Sequence, residues 1–168
     1  EMKLLYDKYL INKKVVEMGK NISTKYKGEN PIFIGILNGS FIFLADLLRA
    51  INIKCEVDFI KIQSYEGLKS TGKINLVNDI SIDISGRHII LVEDIIDTGN
   101  SIRYLLDKLK NSSCKSISIA TFLMKSKINN YDFTVDHIGY EIGQGFVVGY
   151  GLDFNQNYRN LDGIYILD

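Results

Sequence analysis

Tryptophan is absent from this 168-residue chain, proline occurs once, and cysteine and histidine occur twice each. Two cysteines, Cys55 and Cys114, cannot make a disulfide framework, so both read as free thiols of a reducing compartment. His88 and His137 stand apart and have no metal-ligand spacing with the cysteines, which argues against a zinc site. No apolar run approaches the roughly 18 residues of a membrane span. Nothing at the start reads as a signal peptide, and the expectation is a soluble, cytoplasmic chain. An excess of charge of one sign is also missing. Twenty Lys and Arg residues balance twenty Asp and Glu residues for a formal net charge of zero, which disfavours a general polyanion binder. Neither a Walker A pattern nor a G-x-G-x-x-G fingerprint is present, which lowers the case for an ordinary triphosphatase or dinucleotide enzyme.

What is present is an alternation of apolar runs and helical spacings. Residues 12–27 read as a helix, with Asn12 as its cap, Ile11 stapled on Val16, and Val15, Met18, Ile22 and Tyr26 along one face. Ile32–Leu37 is a continuous apolar strand, and Phe41–Ile51 is helical by the spacing of Leu44, Leu47, Leu48 and Ile51. A third strand runs from Cys55 through Ile62. From Gln63 to Asn78 the sequence is polar and patternless, and a connection of that length is expected to be mobile or functional. Further strands follow at residues 116–124, 136–142, 146–150 and 163–167. Length and the lack of linkers imply a single domain over 1–168. Near-continuous apolar strands alternating with helices imply an α/β fold around a mainly parallel sheet, with ligands bound beyond the carboxyl ends of its strands.

The chain is organised around residues 88–110, HIILVEDIIDTGNSIRYLLDKLK. His88 to Val92 reads as a buried strand, ended by the adjacent acids Glu93 and Asp94. A turn over 95–99 carries Asp97 and the permissive Gly99, and Ser101–Lys110 is an amphipathic helix. A helix start presents free N–H groups and the positive end of the dipole, so Asp97, Thr98, Gly99, Asn100 and Ser101 can cradle a phosphate. Paired acids one step upstream suit hydroxyls or a Mg²⁺ that keeps several waters. A phosphate site beside a diol or metal site describes a ribose 5-phosphate pocket.

The ten residues Val92-Glu93-Asp94-Ile95-Ile96-Asp97-Thr98-Gly99-Asn100-Ser101 resemble the phosphoribosyl pyrophosphate (PRPP) signature of the type I phosphoribosyltransferases. The resemblance runs from about residue 12 to the C-terminus and is weakest in the polar connection and over 126–136. It implies the family's α/β fold with a small hood of short strands, and transfer of a 5-phosphoribosyl group from PRPP to a base with release of pyrophosphate. Leu37-Asn38-Gly39-Ser40 resembles the pyrophosphate loop, in which the peptide after the leucine is cis; here Asn38 replaces the usual basic residue. Ser64-Tyr65 resembles the start of the flexible catalytic loop. Alone, Lys125 reads as a solvated lysine; by resemblance it donates to a purine 6-oxo group.

In Phe146-Val147-Val148-Gly149-Tyr150-Gly151-Leu152-Asp153, the resemblance implies that Phe146 stacks on the purine and Val147 reads its edge through the backbone. Asp153 would bind Mg²⁺ and Arg159 would grip pyrophosphate. Ile95 would pack on the base, Glu93 and Asp94 would hold the ribose or the metal, and Asp97 would be the general base. The implied reaction is salvage of a 6-oxopurine, hypoxanthine or guanine, by a Mg²⁺-dependent homodimer or homotetramer. Two alternatives share the central motif. One is a phosphoribosyltransferase for xanthine, adenine or a pyrimidine; the other is a nucleotide-sensing, nucleic-acid-binding regulator. Zero net charge and the Lys125, Asp153 and Arg159 set speak against the regulator.

Overall fold

The structure is a computed structural model that describes residues 1–64 and 73–168. The elements in chain order are β1 (Met2–Tyr6), α1 (Lys8–Lys25), β2 (Ile32–Leu37), α2 (Phe41–Arg49), β3 (Glu56–Ser64) and β4 (Ile74–Asn78). They continue with β5 (His88–Ile96), α3 (Asn100–Leu109), β6 (Ser116–Met124), β7 (His137–Glu141), β8 (Phe146–Val148) and β9 (Ile164–Leu167). Six strands form one sheet in the order β4-β3-β2-β5-β6-β7, and β1-β9-β8 form a second, antiparallel sheet. The large sheet is parallel except for β4, which runs antiparallel to β3. This is the expected mainly parallel α/β architecture with a hood.

Both faces of the large sheet are covered, which is why its central strands are largely apolar. Ile22, Phe33, Phe43, Leu47, Ile90 and Phe122 pack in one buried cluster that includes faces of α1 and α2. Ile34, Ile60, Leu91, Ile102, Leu105 and Ile119 pack in the other, with α3. Each fully buried side chain of this size contributes about 1.5–3 kcal/mol by leaving water. Among the described residues no helix is long and apolar enough to cross a membrane.

Several boundaries depart from the sequence expectations. Helix α1 begins a turn earlier than residue 12, capped by Asp7, whose side chain accepts from the Leu10 N–H at 2.9 Å. Asn12 therefore lies inside the helix, and Val16 is exposed rather than stapled to Ile11. Strand β1 was not anticipated; its pairing with β9 joins the two ends of the described chain. Part of the supposedly patternless connection is strand: Gln63 and Ser64 complete β3, and 74–78 form β4. The remainder of that connection, including Tyr65, lies outside the described residues.

Candidate active site

The carboxyl ends of β2, β5 and β6 set the geometry. Strand β5 does not stop at Val92. Its ladder with β6 continues through Glu93↔Thr121, Ile95↔Leu123 and Ile96↔Met124, so Glu93 and Asp94 lie in the strand and the turn begins only after Ile96. Because Ile96 faces Met124, the next residues on the two strands, Asp97 and Lys125, emerge side by side. Lys125 Nζ donates to Asp97 Oδ2 at 3.0 Å, and its backbone N–H bonds the Ile96 carbonyl at 2.9 Å. Lys125 is thus not a free surface lysine; its side chain is 12% exposed.

Beyond Asp97 the chain passes Thr98 and enters α3 through Gly99, which takes the left-handed conformation at φ 84°. A side chain there would also collide with Phe133, 2.9 Å from an added Cβ, so only glycine suits both the backbone and the space. The cap residue Gly99 has no side chain to bond the first turn of α3, where Thr98 Oγ1 accepts only from the Asn100 N–H, at 3.3 Å. A pocket of about 130 Å³ is lined by Glu93 and by residues 95–102, including Thr98, Asn100 and Ser101. Free helix N–H groups around such a pocket suit an oxyanion.

The second half of the site is built by close approach. The Leu37–Asn38 peptide is cis, as the resemblance implies. The buried Ser40 hydroxyl donates back to the Ile36 carbonyl at 2.7 Å, holding the turn from β2 into α2. Gly39 lies directly against Asp94, whose Cγ is 2.7 Å from where a Cβ would stand. On its other side the Gly39 carbonyl backs onto Gly151. Arg159 donates to the Gly151 carbonyl at 2.7 Å and pairs with Asp153 at 3.2 Å. Residues 38–39, 93–94 and 151–159 therefore form one constellation, and 97–101 with Lys125 form its neighbour.

Electrostatics mark the acid pair. Burial, the Asp94 charge and a hydrogen bond to Asp94 push the Glu93 carboxyl well above its ordinary value. Burial also raises Asp94, against the opposing pull of its hydrogen bond to Glu93 and the Arg159 charge. The pair holds more protons folded than unfolded, so its contribution is fully present below the ordinary Glu value of 4.5 and is lost as pH rises through the folded values. Glu93→Gln should therefore raise the melting temperature of the ligand-free protein at high pH and flatten its fall as pH rises above the ordinary carboxylate range. Melting curves of both proteins from acid to alkaline pH check this. An unchanged slope would show that the pair is not desolvated.

The remaining expected residues are more scattered. Phe146 opens β8 half-exposed, its ring edge-on to Phe154 at 5.6 Å, while Val147 is buried. Strand β8 is an edge of the hood, so one side of its backbone has no strand partner. Ile95 is half-buried against the first core cluster. Ser64 ends β3 without a side-chain bond to either constellation. The proposed metal trio is not one cage: among the described residues no three His, Cys, Asp or Glu side chains converge on a point. Asp153 is engaged by Arg159 and by the Gln156 N–H at 2.8 Å. A larger cavity, about 580 Å³, lies elsewhere, lined by residues of α1 and α2, Tyr150 and residues 160–162. Volume alone would misplace the site.

Two residues that hold Asp97 escaped the sequence reading. Asn129 Nδ2 donates to the Asp97 carbonyl at 3.0 Å and to its Oδ1 at 3.2 Å. The Tyr131 hydroxyl donates to the Asp97 carbonyl at 2.7 Å. The available signal was the four-residue step from Lys125 to Asn129.

An α/β sheet with an oxyanion pocket at a helix start and paired acids beside it defines a class of proteins that hold phosphorylated ligands. The chain belongs to the phosphoribosyl transferase domain family, whose model matches residues 2–155. It is 39% identical over 166 residues to the hypoxanthine-guanine phosphoribosyltransferase of Streptococcus agalactiae, covering 98% of this chain and 92% of that protein. It is 37% identical over 166 residues to the bifunctional protein TilS/HprT of Listeria monocytogenes. That match covers 98% of this chain, which spans about a quarter (26%) of the longer relative. A crystal structure of a hypoxanthine-guanine phosphoribosyltransferase from Bacillus anthracis matches with a TM-score of 0.93 at 37% identity, over 100% of both chains. A hypoxanthine phosphoribosyltransferase from Staphylococcus aureus matches with a TM-score of 0.93 at 32% identity, over 99% and 91% of the two chains.

Proposed function

We propose that this chain transfers the 5-phosphoribosyl group of PRPP to a 6-oxopurine, hypoxanthine or guanine, releasing pyrophosphate. The observation that carries the reading is the placement of Lys125 beside Asp97. An ammonium donor and a carboxylate acceptor sit 3.0 Å apart at the rim of the oxyanion pocket. A 6-oxopurine offers the matching edge, an acceptor at O6 and a proton at N7. Adenine offers a 6-amino donor instead, which a lysine cannot meet.

The 97–101 loop holds the 5-phosphate, and Glu93 and Asp94 face the ribose hydroxyls. Asn38, Gly39 and Arg159 bind pyrophosphate, and Phe146, Ile95 and the Val147 backbone hold the base. The bond from C1 of the ribose to pyrophosphate breaks as N9 of the purine bonds to C1, and Asp97 accepts the N7 proton. Positioning and charge stabilisation carry such a step without a protein nucleophile. The donor set fits Mg²⁺, since two adjacent, desolvated carboxylates with a single nearby guanidinium suit a hard cation that uses one or two protein oxygens. When bound it would neutralise the pyrophosphate charge, held by Glu93 and Asp94 with Asp153 on the pyrophosphate side. A single domain over 1–168, a cytoplasmic location and a homodimer or homotetramer accompany this reading.

A product assay with PRPP, Mg²⁺ and a panel of bases tests it. Nucleoside monophosphate should form from hypoxanthine and guanine; product from adenine or a pyrimidine alone would overturn it. Lys125→Ala should raise KM for hypoxanthine about tenfold or more, the range of a hydrogen bond to a charged group, with a much smaller change in KM for PRPP. Equal losses for both substrates would make Lys125 a structural residue.

A further inference from the structure

We infer that Asn129 and Tyr131 are positioning residues for Asp97, fixing its Oδ1 and its main-chain carbonyl so that Oδ2 alone is presented to the purine. The inference rests on the functional reading above and assigns a role to a segment where the sequence resembles its family least.

The geometry divides the Asp97 carboxylate between two donors. Lys125 takes Oδ2 at 3.0 Å and Asn129 takes Oδ1 at 3.2 Å. Both come from one turn of chain after β6. The Ile128 and Asn129 N–H groups bond back to the Lys125 carbonyl at 3.3 and 3.1 Å, which places side chains four residues apart on the same side. The Asp97 main chain is tied separately. Asn129 Nδ2 reaches its carbonyl at 3.0 Å, and the Tyr131 hydroxyl lies 2.7 Å from that oxygen and 3.2 Å from the Ile96 carbonyl. Burial raises the Tyr131 phenol, which keeps its proton for this bond. Phe133 and Tyr131 also underlie Gly99, so the same segment floors the loop that follows.

The arrangement has a consequence for the reaction. When Lys125 turns to a purine 6-oxo group, Oδ2 loses its partner and becomes the oxygen free to accept the N7 proton. Oδ1 keeps its bond to Asn129. Without that bond the carboxylate can rotate about its Cβ–Cγ axis as Lys125 departs, and misplacement of a reacting atom slows proton transfer without weakening substrate binding. Asn129 and Tyr131 do not touch the purine; they act through Asp97.

Single-turnover rates with PRPP, Mg²⁺ and hypoxanthine test this. Asn129→Ala should slow the chemical step roughly ten- to a hundredfold, the span of a hydrogen bond to a charged group, while KM for PRPP moves by less than about twofold. Asn129→Asp, similar in shape but lacking the donor and adding a like charge beside Asp97, should be slower still with an unchanged melting temperature. Tyr131→Phe keeps the ring under Gly99 and should show a smaller loss in the same rate. In an Asp97→Ala background the Asn129→Ala effect should shrink to about twofold, because its target is gone. Full-size loss in that background, or wild-type rates for Asn129→Ala and Asn129→Asp, would overturn the positioning role. Failure of the wild-type protein to form nucleotide would overturn the functional reading beneath it instead.

Discussion

Asp97→Asn should lower the single-turnover rate of nucleotide formation by roughly 10²–10⁴-fold, the usual range for a general acid–base group. The amide keeps the size and one acceptor oxygen but cannot take up the N7 proton. Stability should change little. Asp97 is half exposed, its side chain 51% open to solvent, and the amide keeps an acceptor oxygen for the Lys125 ammonium. The combination of a large kinetic loss and an unmoved melting temperature separates a reacting carboxylate from a turn residue. A variant whose chemical step ran at the wild-type rate would remove Asp97 from the reaction.

Gly39→Ala should be nearly as damaging, by a different route. A Cβ at residue 39 would lie within contact of the Asp94 carboxylate, 2.7 Å from its Cγ, and the other side of the residue is closed by Gly151. The turn cannot retreat, because Ser40 is bonded to Ile36 and the Phe41 N–H to the Asn38 carbonyl at 3.2 Å. Either the 38–39 backbone or Asp94 must shift, and a displacement near 1 Å in a positioning group costs on the order of 10²-fold in rate. The loss should fall on kcat/KM for PRPP, with base binding spared, as measured by steady-state kinetics and by calorimetric titration of the base. A fully active Gly39→Ala enzyme would reduce residues 38–40 to a plain strand-to-helix turn. Gly39→Ala is also the sharper test of the acid pair, since it disturbs Asp94 without altering any charge.

The two expected results draw on different layers of information. Asp97 stands out in the linear sequence because a carboxylate, a hydroxyl and a glycine fall between a strand and a helix whose first turn adds the Ser101 hydroxyl. That spacing alone is enough to propose an anion site. The neighbourhood of Gly39 is invisible at that level. Nothing in LNGS says that its backbone is pressed between Asp94 and Gly151, residues 55 and 112 positions away by subtraction of their numbers.

What the sequence determined by itself follows from local physics. Apolar-rich runs were legible as β2 and β6 with their observed bounds, because both faces of those strands are covered and most of their residues are apolar, the buried Ser118 and Thr121 of β6 being hydrogen-bonded. The amphipathic spacing of α3 and the buried face of α1 were legible for the same reason. Strand β4 was not, because it lies at a sheet edge with all but Ile74 exposed, and an edge strand leaves no apolar run to read. The persistence of β5 through Glu93 and Asp94 was not legible either. Two acids look like a strand end until the ladder to β6, formed across an intervening helix, carries them on.

The tertiary structure alone decided which polar groups meet. The register of Ile96 against Met124 brings Asp97 to Lys125, and one turn of chain after β6 adds Asn129. Packing of Gly151 on Gly39 accompanies the approach of Arg159 to Asp94, where its charge opposes the rise that burial imposes. Residue types at a spacing announce a chemistry, since propensity and charge are local. Distances between them are set by sheet register and by glycine-permitted approach, which join segments far apart in the chain.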